Sequence, residues 1–269
     1  MKYYTYDNIT QPYKRYLFVW PTYRGDQWHL IESIKSVQYA MRGHEEKATY
    51  VALEDALCPL DHDVRCVLNE MGVHRWNTDY FRNGNNIGPE ALEGQCKAWV
   101  ELAEAFEFDY LIKIDCDTLV YDLDWVWSIE ADESKALVGT FKTIPYYVFG
   151  ACYGIAREML KPLYEDAKKY KAWRGSFEDY ETGMRLYRLS GGNLDYAVRY
   201  RVDPADGFIL CSLKDAREEM HTMRYVNFGW DLQSIPMDKR DEYKAKQLAL
   251  MRRLNELRIA PAAVGGNLR

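Results

Sequence analysis

The sequence contains no apolar run as long as a membrane span. Its first fifteen residues, MKYYTYDNITQPYKR, lack the apolar core of a signal peptide. The six cysteines, Cys58, Cys66, Cys96, Cys116, Cys152 and Cys211, form no Cys-x-x-Cys pair and no dense framework. That excludes a disulfide scaffold and leads to the expectation of scattered thiols in a reducing, cytoplasmic setting. Asn8, Ile9 and Thr10 form a formal glycosylation sequon that carries no meaning there. No Gly-x-Gly-x-x-Gly follows a strand and no P-loop signature appears, so any nucleotide must be held by side chains and metal. A serine nucleophile elbow and a His-Glu-x-x-His pair are absent as well. Positive charge is in deficit: 35 Lys and Arg stand against 41 Asp and Glu, a net charge of -6. With no basic tract interleaved with aromatics, no general nucleic-acid binding is expected.

What is present is ordinary for a soluble globular chain. Of 269 residues, 48% are hydrophobic and 28% charged, enough for one large domain or two small ones. The 22 Tyr and 8 Trp can stack on sugars and bases, but core filling accounts for most such residues.

The hydrophobic pattern then organises the chain. YLFVW (16–20) reads as a buried strand broken by Pro21, with PTYRG as a loop. Asp26 is placed to cap a helix that ends at Gly43. A strand over 47–53, a helix ending near Gly72 and a short strand, VHRW, follow. Beyond a polar loop, Pro89 sits in the first turn of a long helix, and DYLIKI (109–114) is apolar enough for the centre of a parallel sheet. Strand and helix thus alternate three times, the pattern of an α/β sheet that binds ligands at the carboxyl ends of its strands. After residue 135 the rhythm changes to strands ALVGTF and YYVFGACYGI, a helix over 156–173, a helix beginning at Ser176, a strand pair (DYAVRYRV and GFILCSL), and a charged carboxyl-terminal helix.

Asp115-Cys116-Asp117 closes the DYLIKI strand. Two acids at a strand end are costly unless solvated, hydrogen-bonded or bound to a cation. Carboxylate oxygens suit Mg²⁺ or Mn²⁺, which in turn bind phosphate. SFEDYETG (176–183) is a second acidic cluster. Ser176 and Asp179 have capping-box spacing, with Asp in place of Glu, so helix-start chemistry and a general base are both open. His221 stands in an irregular stretch and has the chemistry to complete a divalent site, though a lone His is more often simply a satisfied residue. His29, His44, His62 and His74 have no acid cluster of that quality nearby.

The order of these motifs resembles a GT-A-fold glycosyltransferase, most closely the Fringe and β-1,3-galactosyltransferase type. AWVELAEAFEFDYLIKIDCDTLV matches that family's run of helix, apolar strand and Lys-x-Asp-x-Asp, with Trp99, Lys113, Asp115 and Asp117 in register. VFGACYGIAREMLKPLYEDA corresponds to its acceptor loop and following helix. Glu178, Asp179 and Gly183 correspond to its Glu-Asp-Val and glycine, with looser spacing, and His221 to a late metal-binding His. The likeness covers about residues 90–225, and more loosely the YLFVWPTYRG start. No counterpart of the family's membrane anchor, stem or lumenal disulfides is expected here.

The resemblance implies a GT-A-like, Rossmann-type central sheet flanked by helices, with a mixed α+β acceptor-side half. With no internal repeat and no long linker, one domain is expected over 1–257, split near residue 130 into nucleotide-binding and acceptor halves, with 258–269 as a mobile tail. The resemblance also implies a manganese (Mn²⁺) or magnesium (Mg²⁺) ion on Asp117, with Asp115 touching ribose or the metal through water and His221 as the other protein ligand. The donor would be a nucleotide-sugar, UDP-sugar favoured, touched by Thr22, Tyr23, Arg24, Asp55, Lys97 and Cys116. The acceptor, a glycan or other hydroxyl compound, would meet Tyr147, Phe149, Gly150 and Trp173. Asp179 would be the base of an inverting transfer, with Glu178 as the alternative. Two other readings stand beside it. IDCDTLV also resembles the Asp-x-Asp-x-Thr loop of haloacid-dehalogenase-type phosphatases, which would make Asp115 a nucleophile. A non-catalytic, sugar-binding relative of the same fold is the third.

Overall fold

The computed structural model describes residues 14–78, 89–127, 135–141, 148–170, 178–201, 208–229 and 234–259. Four strands of the first half, β1 (Tyr16–Thr22), β2 (Ala48–Asp55), β3 (His74–Thr78) and β4 (Tyr110–Ile114), run parallel. Helices α1 (Gln27–Ala40), α2 (His62–Glu70) and α3 (Pro89–Ala105) alternate with them. Three later strands, β6 (Leu137–Phe141), β7 (Val148–Ala156) and β8 (Ala197–Arg201), complete one sheet in the order β3-β2-β1-β4-β7-β6-β8. Only β7 runs antiparallel to its neighbours in that sheet.

The sheet is buried on both faces because its central strands β1 and β4 are apolar at all but two positions, Thr22 and Lys113. Tyr16, Phe18 and Trp20 of β1 point to one side and join Leu30 and Ile34 of α1. Leu17 and Val19 point to the other and join Trp99 of α3, Leu160 and Leu163. Each such fully buried large side chain contributes about 1.5–3 kcal/mol over an exposed one. The last two belong to α5 (Arg157–Lys169), which precedes α6 (Glu178–Leu189).

A second, three-stranded sheet lies beyond the end of β4. It has the order β5-β10-β9, from β5 (Thr118–Val120), β9 (Phe208–Leu210) and β10 (Tyr225–Asn227). A single helical turn, α4 (Asp124–Trp127), follows β5. The last helix, α7 (Arg240–Ile259), returns to α1. There Asn255 donates to the Glu32 side chain at 2.8 Å and accepts from the Tyr121 hydroxyl at 2.9 Å.

Four sequence expectations need correction. Pro21 does not end β1, because β4 pairs with β1 only as far as Val19 and the missing N–H of Pro21 removes no bond on that side. Asp26 makes no side-chain cap on α1; its carboxylate is held by Lys244 at 2.6 Å instead. The strands within DYAVRYRV and GFILCSL are not a pair, since β8 joins β6 and β9 joins β10 in the other sheet. Arg258 and Ile259, expected in the tail, belong to α7. Ser176, the expected helix start, and residues 260–269 lie outside the described residues.

Candidate active site

The site begins where β4 ends. Along a strand, alternate side chains face the same side. Tyr110, Ile112 and Ile114 enter the core on the α1 side, while Leu111 goes to the α3 side. Lys113 shares the side of Leu111 and reaches forward, so its ammonium donates to Asp115 Oδ1 at 2.7 Å. The Asp115 N–H is fixed on the Ala151 carbonyl of β7 at 2.9 Å. Cys116 turns inward, and its thiol donates to the Pro21 carbonyl at 3.5 Å, fastening this turn to the end of β1.

Asp117, half-buried, follows. Its Oδ1 accepts from Asn227 Nδ2 at 2.9 Å, and the same amide group donates to Thr118 Oγ1 at 2.9 Å. The residue two along is a glycine for a steric reason. A Cβ on Gly229 would lie 2.5 Å from Asp117 Oδ2. Burial, then Asp115, then Asp26 push the Asp117 carboxyl up to about 7, against the pull of Lys113 and Lys244.

The second acid pair opens α6. Asp179 Oδ2 accepts the Gly150 N–H of β7 at 2.8 Å, and Oδ1 accepts the Tyr180 N–H at 2.8 Å. A Cβ on Gly150 would stand 3.0 Å from Asp179 Oδ2, so glycine there lets the carboxylate approach. Burial first, and Glu178 second, push Asp179 up to about 7, while Lys113 and the two backbone N–H groups pull it down. Glu178 Oε1 accepts from Gln95 Nε2 at 2.9 Å and from the Tyr153 hydroxyl at 2.8 Å. It lies 3.9 Å from Lys113 Nζ. Lys113 also donates to the Gly150 carbonyl. One ammonium therefore links Asp115, Glu178 and the residue that holds Asp179.

The remaining residues of the sequence reading fall out as follows. Thr22 and Asp55 are buried at the carboxyl ends of β1 and β2. Thr22 Oγ1 has no hydrogen-bond partner among the described residues, and Asp55 Oδ1 accepts from the Leu57 N–H at 2.8 Å. The Tyr23 hydroxyl accepts from Lys244 at 2.9 Å, and Asp26 holds that lysine charged despite its burial. Arg24 lies on the exposed rim, 3.1 Å from Asp61. Lys97 pairs with Glu101 at 3.7 Å; two residues from Gln95, it is turned by about 200° on the helix, away from Glu178. Phe149 is half-buried in β7 beside Gly150. Tyr147 and Trp173 lie outside the described residues.

His221 is not brought to the Asp115–Asp117 pair. It sits in a 3₁₀ turn, Glu218–Thr222, with Nδ1 2.7 Å from the Glu218 carbonyl. β10 approaches antiparallel to β5, pairing Tyr225 with Val120 and Asn227 with Thr118. The chain thus travels toward Asp117 as its numbers rise, and residue 227 arrives there. Among the described residues, no group of three His, Cys, Asp or Glu side chains comes together to hold a metal. Sequence reading missed Asn227, Gly229, Gln95, Tyr153 and Lys244. YVNFGW carried a signal for the first two, an apolar strand ending in Asn-x-Gly; the others carried none.

Two carboxylates fit a divalent cation of the magnesium kind. Such an ion commonly takes one or two protein carboxylates and completes its shell with water and substrate phosphate. Burial first, and the neighbouring carboxylates of Asp115 and Asp26 next, lift Asp117, and a bound cation offsets both.

No family model matches the chain, and no curated protein matches it by sequence. Among solved structures, the galactosyltransferase LgtC, in complex with donor and acceptor sugar analogs, aligns with a TM-score of 0.50 at 12% identity, over 88% of this chain and 95% of that one. A glycosyltransferase involved in the glycosylation of the major capsid of PBCV-1 aligns with a TM-score of 0.51 at 10% identity, over 86% and 98%. At these identities the likeness is one of fold. The chain has the mixed α/β, GT-A-like Rossmann-type architecture expected from its sequence. The narrower Fringe and β-1,3-galactosyltransferase resemblance rests on the motifs alone. Among the described residues, no helix is long and apolar enough to cross a membrane.

Proposed function

We propose that this protein is a metal-dependent glycosyltransferase that moves a sugar from a nucleoside-diphosphate donor, UDP-sugar favoured, to an acceptor hydroxyl with inversion. The observation that carries the reading is the joining of two acid pairs, Asp115–Asp117 at the end of β4 and Glu178–Asp179 at the start of α6, through Lys113 and Gly150. One pair suits a cation and its diphosphate; the other suits a hydroxyl that must lose a proton.

Asp117 and Asp115 would hold Mn²⁺ or Mg²⁺, which supplies positive charge for the departing diphosphate. Asn227 and Gly229 orient Asp117 and leave Oδ2 room to face that charge. Thr22, Tyr23, Arg24 and Asp55 form the edge at the ends of β1 and β2 where base and ribose would lie. Asp179 takes the proton of the acceptor hydroxyl as its oxygen bonds to the anomeric carbon. The bond from that carbon to phosphate oxygen breaks, and its electron pair leaves with the diphosphate. A carboxyl lifted to about 7 suits this task, because a base works best with a pKa near the working pH. Glu178, held by Gln95 and Tyr153, is the alternative base. Phe149 and Gly150 form the adjoining acceptor wall.

The test is Asp179→Asn assayed with the donor that binds, with the product's anomeric configuration read by NMR. Donor affinity should persist while kcat falls about 10²–10⁴-fold, as for loss of a general base. The wild-type product should carry the configuration opposite to the donor's. Transfer at the wild-type rate by the variant, or a product of unchanged configuration, would overturn this mechanism.

A further inference from the structure

Lys113 interrupts an otherwise apolar strand at the centre of the sheet. Its side chain is 1% exposed. An ammonium so deep is costly unless it is paired, and this one is paired on several sides. It donates to Asp115 Oδ1 at 2.7 Å and to the Gly150 carbonyl, lies 3.9 Å from Glu178 Oε1, and stands 5.5 Å from the centre of the Tyr153 ring. Gly150 in turn gives its N–H to Asp179 at 2.8 Å. Resting on the transfer reading above, we propose that Lys113 is a positioning residue for both sides of the reaction. It fixes Asp115 on the donor side. By gripping the Gly150 carbonyl, it also sets the β7 segment whose N–H holds Asp179 on the acceptor side.

The lysine itself touches no substrate. Methionine has nearly its length and lacks its charge and its donors. Without the ammonium, Asp115 and Glu178 lose the cation that lies beside both, and of the two side-chain holds on Gly150 the one from Lys113 is gone.

The experiment compares wild type with Lys113→Met in two readouts. The first is the affinity for Mn²⁺ alone, measured by electron paramagnetic resonance with no donor present. The second is transfer kinetics at saturating Mn²⁺. Mn²⁺ affinity should fall about 10–100-fold, the usual cost of losing a residue that orients a metal ligand. At saturating Mn²⁺, the donor KM should return to the wild-type value while kcat stays low, because Asp179 remains misplaced. A lysine with a merely structural role would lower the unfolding midpoint and leave Mn²⁺ affinity and kcat per folded molecule unchanged. That result overturns the proposal, as does full recovery of kcat once Mn²⁺ saturates. If Lys113→Met does not fold, Lys113→Gln carries the same comparison with the same expected losses. If wild type turns over no nucleotide-sugar, the transfer reading has failed; the Mn²⁺ comparison still confirms or overturns the hold of Lys113 on Asp115.

Discussion

Replacing Asp179 with asparagine separates what the site costs the fold from what it does. The carboxyl is lifted from its ordinary 3.8 to about 7, chiefly by burial and next by Glu178. A raised carboxyl favours the protonated native state. Its contribution to stability is complete below the unfolded value and is lost as the pH climbs through the folded value. About three units at ~1.4 kcal/mol each amount to ~4 kcal/mol lost by about pH 8, against ~1.5 kcal/mol at about pH 5. Asparagine does not titrate and escapes this loss. It also replaces one acceptor oxygen with an NH₂ group, which sets a donor against the N–H of Gly150 or Tyr180. That costs about 1–3 kcal/mol. The balance makes Asp179→Asn more stable than wild type by about 1–3 kcal/mol near pH 8, and level or weaker near pH 5. Urea unfolding at the two pH values reads the difference directly. A variant with the same dependence on pH as wild type would refute the burial argument, and one weaker than wild type at both values would refute its sign.

Other predictions follow from the same contacts. At saturating Mn²⁺, which keeps Asp117 ionised, the kcat/KM of wild type should rise with pH through about 7 as Asp179 loses its proton, and any residual activity of Asp179→Asn should lack that rise. Gly229→Ala places a Cβ 2.5 Å from Asp117 Oδ2. Calorimetric titration should show weaker Mn²⁺ binding in a variant that still unfolds cooperatively; unchanged affinity would mean that Oδ2 does not face the ion. Asn227→Leu removes the amide that holds Asp117 Oδ1 and should weaken Mn²⁺ by about 10–100-fold in the same titration.

Local pattern made much of this site legible. DYLIKIDCD showed a strand ending in acids, and the alternation of β4 places Lys113 on the α3 side, within reach of Asp115. SFEDYETG showed a helix opening with acids, and α6 does open with Glu178 and Asp179. What stayed hidden depends on pairing between distant segments. The partner of Asp117 comes from 110 residues away, and the β10–β5 register decides that it is Asn227 rather than His221. No local rule reports that register. Asp26 looked like a helix cap because its partner, Lys244, lies 218 residues further on. β8 and β9 looked like a pair because they are close in sequence, and closeness in sequence does not fix which sheet each one joins. Pro21 broke the predicted strand under a rule for fully paired strands, whereas the end of β1 is paired on one side only.

The most direct test is thermal unfolding with Mn²⁺ and a panel of UDP-, GDP-, CMP- and TDP-sugars, for wild type and for Asp117→Ala. A ligand that binds only the native state raises the midpoint. Wild type should show a rise with Mn²⁺ and one nucleotide-sugar together, no comparable rise when Mn²⁺ is left out, and Asp117→Ala should show none. No rise with any donor, or an equal rise in Asp117→Ala, would contradict this expectation.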